Sequence, residues 1–142
     1  MSASRKALRT ALAEVLTNEV THAQAIFGYQ KSKIKGQTPV ICVTSAGSRR
    51  EPITMKGNSL TATLDIHVFV LYSDGASWTE EQAEDRLDDI EQQIAHVVDQ
   101  YRTSTAWSCL SYAERSNARS PVVLEGTTYL HEVIPVEIQE HR

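Results

Sequence analysis

The apolar residues of this chain recur with two different periods, which separates predicted helices from predicted strands. Two segments carry apolar residues at intervals of three and four, the spacing of an amphipathic α-helix. In the first these are Ala7, Leu8, Ala11, Leu12, Val15 and Leu16, and in the second Ala83, Leu87, Ile90, Ile94, Val97, Val98 and Tyr101. Ser4 is a suitable N-cap for the first helix, and Thr79 with Gln82 matches a capping box before the second.

Residues 60–72 alternate between apolar and polar positions, as a half-buried β-strand does. The apolar set is Leu60, Ala62, Leu64, Ile66, Val68 and Val70, and the polar set is Thr61, Thr63, Asp65 and His67. The alternation ends at Phe69 and Leu71, so we expect this end of the strand to be covered on both faces.

Shorter strand candidates complete the pattern. They lie at residues 23–29, 39–44, 107–112 and 129–138. Pro135 cannot donate a ladder hydrogen bond, which predicts a sheet edge or a bulge in the last strand. Residues 45–59 are polar and unpatterned and predict a long loop or flexible hairpin arm, and residues 116–121 predict a polar turn.

The order of these elements predicts one α+β domain spanning residues 1–142. We expect a mostly antiparallel sheet of about four to five strands, with two helices packed on one face and a long polar loop or hairpin arm. A length of 142 residues suits one domain, and 41% hydrophobic residues can form its core.

The net charge of −4 argues against a strongly basic nucleic-acid binder, but its distribution is uneven. Residues 1–71 hold nine Lys and Arg against four Asp and Glu, a balance of +5, whereas residues 72–142 hold five against fourteen, a balance of −9. Opposite charges on different surfaces of one domain would suit head-to-tail self-association.

No secretory signal or membrane span is predicted, which gives a cytosolic default. Cys42 and Cys109 both lie in apolar segments, and we expect two buried thiols, with a single disulfide as the alternative.

Motifs for chemistry are weak. Neither a dinucleotide-binding nor a P-loop glycine pattern is present, and no serine lies in a nucleophile elbow. Asp85, Asp88 and Asp89 resemble a magnesium-binding cluster but equally describe a solvated helix face. Asp65 and His67 share one strand face, and with His131 they could form a general base or a metal site. We predict no catalytic residue, no cofactor and no metal, and therefore not an enzyme.

Two further features suggest an interaction surface. Trp78, before the second helix, is either a hydrophobic staple onto that helix or an interface anchor. Arg49 and Arg50 lie in a segment without core residues, where they are either solvated charges or part of a partner-binding arm.

The order of the pieces resembles the tail-terminator (tail-completion) proteins of long-tailed bacteriophages over nearly the whole chain. The resemblance rests on the N-terminal helix and on the pieces that follow it in order along the chain. These are Ile26-Phe27-Gly28-Tyr29, Pro39-Val40-Ile41-Cys42-Val43, a polar loop into the strand from Leu64 to Val70, the helix from Ala83 to Glu91, Trp107 before a strand, and a terminal strand from Tyr129 to Val136.

This resemblance implies a structural virion protein. Such proteins form a homo-hexameric ring on the head-proximal end of the tail tube, stop tube polymerisation, and present the surface for head–tail joining. The implied partners are further copies of the chain, the tail-tube protein and a head-side connector or head-closure protein. DNA would pass through the lumen without specific binding, and no membrane is involved. The alternatives are another phage neck protein, or a small α+β enzyme or ligand-binding domain.

A ring subunit needs two complementary surfaces, and the charged segments are the candidates. The hypothesis places subunit or tail-tube contacts at basic loops, at Trp78 and at the acidic helix face. The residues are Lys31, Lys33, Lys35, Arg49, Arg50, Lys56, Trp78, Asp85, Asp88 and Asp89.

Overall fold

A computed structural model describes residues 4–21, 23–29, 39–52, 58–72, 80–114, 116–124 and 126–141. Two helices and six strands make up this part of the chain. In chain order they are α1 (Arg5–Glu19), β1 (Ala25–Phe27), β2 (Val40–Pro52), β3 (Asn58–Leu71), α2 (Glu80–Gln100), β4 (Cys109–Tyr112), β5 (Ala118–Leu124) and β6 (Thr127–His141).

The six strands form one mostly antiparallel sheet in the order β1-β2-β3-β6-β4, with β5 also paired to β6. Only the short β1 runs parallel to its neighbour, β2. The two long central strands, β3 and β6, pair from Ser59 opposite His141 to Leu71 opposite Tyr129. This pairing forms the centre of the sheet on which α1 and α2 pack.

Both helices pack on one face of this sheet, and their apolar stripes share one core. Leu8, Leu12 and Leu16 of α1 join Leu87, Ile90 and Ile94 of α2 in a single buried cluster. The predicted apolar set of β3, from Leu60 to Val70 at every second position, lies in the same cluster, which confirms its period of two. Ser4 caps α1, since its side chain accepts a hydrogen bond from the Ala7 backbone N–H at 3.1 Å.

The opposite face of the sheet, here called the open face, has a second, smaller cluster at one end. Phe69 and Tyr129 are 3% and 1% exposed and pack edge to face, with ring centroids 6.5 Å apart. Val40 and Cys42 complete this cluster. The prediction that the last part of β3 is covered on both faces is therefore confirmed.

The strand count differs from the prediction of four to five. Residues 118–124 form β5, whereas residues 116–121 were predicted to be a polar turn. The strand was not predicted because β5 is an edge strand whose side chains are mostly exposed. Such a strand has no buried face to impose an apolar alternation, and Pro121 is tolerated there because one edge has no partner. The polar segment 45–59 also contributes strand residues, since β2 extends to Pro52 and β3 begins at Asn58.

The prediction for Pro135 is wrong in its location. The residue lies in β6, a central strand, opposite Asp65 of β3. The pairing of β6 with β5 ends at Val133 and its pairing with β4 starts at Val136, so the proline falls in the gap between them. Its carbonyl accepts from Ala113 on this same side, and the N–H that proline lacks would point into that gap. A central strand therefore accommodates it without losing a ladder bond.

Candidate functional sites

The first candidate surface is the hairpin arm, which we define as residues 45–52 of β2 with residues 58–64 of β3. The register shifts between Ser45 and Gly47, so a bulge lies at the start of the arm. Arg49 lies opposite Thr61 and therefore projects on the open face. Its Nε is 2.9 Å from Oε1 of Glu51, two residues along the same strand face, and both side chains are largely exposed. Arg50 projects on the other side of the arm, opposite Leu60.

The second candidate surface is the outer face of α2. Asp85, Asp88 and Asp89 are all exposed, as a solvated helix face requires. They do not form one cluster, because Asp88 faces β5 and β6 while Asp89 lies towards the end of α1, beside Glu19. Within the described ranges, no group of three or more His, Cys, Asp or Glu side chains has the arrangement of a metal site.

An acidic groove of about 500 Å³, which no sequence pattern predicted, lies between α2 and the strands β5 and β6. Glu84, Asp88 and Glu91 of α2 recur at intervals of four and three and line it together with Glu132 of β6. We call these four residues the acidic edge. Arg119 of β5 forms a salt bridge with Glu84 and is the cation among the residues that line the groove.

Glu132 is the unusual member of the acidic edge because it is only 7% exposed, on the helix-covered side of β6. Asn117 donates a hydrogen bond from Nδ2 to Glu132 Oε2 at 2.9 Å. Burial nevertheless raises the pKa of Glu132 above its usual value, and Glu91 and Asp88 act in the same direction. The sequence does carry a signal for this residue, because Glu132 interrupts the apolar row formed at every second position by Leu130 and Ile134.

The third candidate is a histidine pair on the open face. His67 Nδ1 and His131 Nε2 are 3.0 Å apart, and the rings are nearly parallel at 10°. His67 Nε2 is also 3.0 Å from Thr44 Oγ1, which gives a continuous hydrogen-bonded chain from β2 through β3 to β6. The Phe69 ring stacks on His131, with centroids 4.4 Å apart.

The histidine pair is arranged to stay neutral. One of the two facing nitrogens must donate and the other accept, which two neutral rings satisfy. Burial lowers the pKa of His131 to about 4, and the neighbouring His67 adds to this effect. Burial also lowers the pKa of His67, against the opposing charge of Asp65. The strand register thus brings together two of the three residues suggested as a polar site, with Asp65 close enough to act on one of them.

A fourth feature that no sequence pattern predicted is a groove of about 630 Å³ between α1 and β1, which we call the α1–β1 groove. Arg9 and Glu14 of α1 line it, and Tyr29, 53% exposed, stands on the β1 side. Arg9 is half-buried and its Nη1 donates to Ser45 Oγ at 3.3 Å. Its Nε is buried and has no hydrogen-bond acceptor in the described part of the chain.

Several predicted residues fall outside the described ranges. Lys31, Lys33, Lys35, Lys56 and Trp78 belong to this group, and so does Thr79 of the predicted capping box. Of the cysteines, Cys42 is buried as expected, but Cys109 is exposed at the start of β4, and both are free thiols. The expectation that both are buried was wrong for Cys109 because β4 is a short edge strand with only Leu110 facing the core.

No protein-family model matches the chain, and no curated protein matches it at a significant level. In the described ranges, neither helix has the length and apolar character needed to cross a membrane.

Proposed function

We propose that the chain is a structural subunit of a phage tail, a terminator that caps the head-proximal end of the tail tube as a ring. The observation that carries the proposal is the order of elements along nearly the whole chain, which resembles the tail-terminator proteins. The described elements follow that order, from α1 and the short β1 through the long β3 to α2 and the terminal β6.

Charge placement supports the proposal. A closed ring needs two different surfaces on each subunit, related by a rotation. The hairpin arm exposes cations on one part of the sheet, whereas the outer face of α2 exposes carboxylates. We infer that Arg49 and Arg50 reach an acidic partner, either the neighbouring subunit or the tube protein. In the ring the acidic α2 face would also discourage DNA from binding to any lumen wall that it forms.

The decisive experiment adds the purified protein to polymerising tail-tube protein. A terminator should limit tube growth and leave a ring at one end of each tube, seen by negative-stain electron microscopy. Tubes that grow to the same length with and without the protein would refute the proposal. A head-closure or connector protein would also leave tube growth unchanged, so the same assay separates these phage neck functions.

The role of the arm is tested by reversing its cations. The double variant Arg49→Glu with Arg50→Glu should cap tubes at least ten-fold less efficiently at low salt, because like charges would then face the acidic partner. The matched control is Glu51→Gln, which removes the local partner of Arg49 and leaves both cations in place. Equal capping by the double variant and the wild type would remove the arm from the interface.

One observation favours a second candidate, a small polar site for proton transfer or ligand binding. The hydrogen-bonded chain from Thr44 through His67 to His131 resembles the arrangement in which a base is held by a third group. If this site were the function, His67→Ala and His131→Ala would abolish ligand binding without affecting tube capping. Unchanged folding and capping in these variants, without any bound ligand, would leave the pair as a structural feature.

A further inference from the structure

Two oppositely charged surfaces lie towards opposite edges of the sheet. α1 packs on β1 and β2 at one end of the strand order, whereas α2 packs on β3, β6 and β4 at the other. The α1–β1 groove with Arg9 belongs to the first end. The acidic edge, in which α2 meets β5 and β6, belongs to the second. A head-to-tail contact between copies requires such a placement, because each copy must present both surfaces at once.

The first surface, around the α1–β1 groove, is cationic, and one of its hydrogen-bond donors has no acceptor in the described part of the chain. Arg5 and Lys6 are exposed on the first turn of α1, four and three residues before Arg9, and therefore project near it. Within the described part of the chain, none of the three forms a salt bridge. The unsatisfied Nε of Arg9 is costly to leave without an acceptor. Arginine binds a carboxylate best through two nitrogens, so a carboxylate at the groove would satisfy this donor.

The second surface, the acidic edge, carries the opposite charge. Glu84, Asp88 and Glu91 supply three carboxylates on one side of α2, and Glu132 supplies a fourth beneath them. Arg119 offsets only one of these charges, which leaves an excess of negative charge at the edge. The hairpin arm is a weaker complement, because Arg49 already pairs with Glu51 of its own strand.

We propose that two copies of this chain meet head to tail, with the α1–β1 groove of one copy against the acidic edge of the next. Arg9 is the central contact, and Asp88, an exposed residue in the middle of the α2 stripe, is its partner carboxylate. Tyr29 supplies an exposed aromatic side chain beside the contact, and tyrosine is enriched at the centres of interfaces. The inference rests on the proposed ring, to which it assigns the subunit–subunit contact, leaving the hairpin arm for the tube.

Cysteine cross-linking tests this contact directly. In a Cys109→Ser background, one protein carries Thr10→Cys, an exposed position in the groove, and a second carries Glu81→Cys, an exposed position on α2 three residues before Glu84. A short bis-maleimide reagent should give a covalent dimer from the mixture. The control replaces Glu81→Cys by Gln100→Cys, exposed at the end of α2 and roughly 24 Å along the helix from Glu84. We expect at least ten-fold more dimer with the Glu81→Cys protein than with the Gln100→Cys protein.

Charge-reversal variants then test which residues form the contact. Arg9→Glu should lower the dimer yield about ten-fold. Asp88→Arg in the second protein should restore it, whereas Asp88→Arg alone should lower it. Glu14→Gln removes a carboxylate of α1 that lines the groove and should raise the yield. Circular dichroism of each variant establishes that α1 and α2 remain folded.

The outcomes separate the contact from the tail function. Equal yields with Glu81→Cys and Gln100→Cys, or an unchanged yield with Arg9→Glu, would overturn the contact. If the wild type caps tubes and Arg9→Glu caps them equally well, the contact is wrong and the tail function stands. If the cross-links follow the charges but tube growth is unaffected by the wild type, the contact stands and the tail function is wrong.

Discussion

The two faces of the sheet carry different kinds of side chain on the same strands. On the helix-covered face, β3 contributes an unbroken row from Leu60 to Val70 to a core shared with α1 and α2. On the open face, the alternate residues are polar, from Thr61 to His67, and only the Phe69 end is closed by a second cluster. Burial stabilises the fold through the first face, which leaves most of the second face available for charge, hydrogen bonding and contact.

Matched substitutions on β3 test how differently the two faces contribute to stability. Ile66→Ala removes a fully buried side chain from the covered face and should lower the free energy of unfolding by about 3 kcal/mol. Thr63→Val, on the open face of the same strand, should change it by less than about 0.5 kcal/mol. Urea unfolding of both variants measures the two effects. Similar losses would mean that the open face also contributes a packed core.

The histidine pair should make the open face sensitive to acid. The pKa of His131 is about 4 in the folded chain, below the ordinary 6.5, so the unfolded chain binds protons first as the pH falls. Stability is therefore fully present above pH 6.5 and should fall between pH 6.5 and about 4, by on the order of 1–2 kcal/mol after solvent screening. Urea midpoints measured across this range record the loss.

His131→Gln tests the assignment of this pH dependence. Glutamine keeps a polar partner for His67 but cannot be protonated, so the loss of stability below the ordinary histidine pKa should become shallower. His96→Gln, at an exposed position on α2, is the matched control and should leave the pH profile unchanged. A profile equally steep in wild type and His131→Gln would show that other groups cause the acid sensitivity.

Local sequence patterns predicted most of the fold, whereas the candidate sites depend on strand register, which those patterns do not specify. The apolar row of β3 and the apolar stripe of α2 could be predicted because one face of each element is buried, and burial imposes a period on the sequence. β5 was missed because an exposed edge strand has no such period. His67 and His131 were suggested together with Asp65 as a possible site, but their 3.0 Å contact depends on the pairing of Phe69 with His131, which no local pattern specifies. The groove at Arg9 depends likewise on how β1 meets α1.

The covered face also holds buried carboxylates, and one of them, Glu132, should respond to pH in the opposite direction. Its pKa is raised in the folded chain, so folding is favoured at low pH and this contribution is lost as the pH rises through the raised pKa. Glu132→Gln keeps an oxygen to accept from Asn117 and removes the charge. At a pH of about 8 it should raise the free energy of unfolding by about 1 kcal/mol. Asp89→Asn on exposed α2 is the control, expected to stay within about 0.5 kcal/mol, and a loss of stability in Glu132→Gln would contradict the raised pKa.

The smallest effect is expected at the ion pair of the hairpin arm. Arg49 and Glu51 are 69% and 62% exposed, and such surface pairs are screened by water and salt. A double-mutant cycle with Arg49→Ala and Glu51→Ala should give a coupling free energy below about 0.5 kcal/mol in urea unfolding. The same arm should matter far more for tube capping than for stability, because a partner would exclude water from the cations. A coupling above about 1 kcal/mol would mean that the pair helps to hold the arm in place, and loss of capping in Arg49→Ala would then reflect a displaced arm instead of a lost contact.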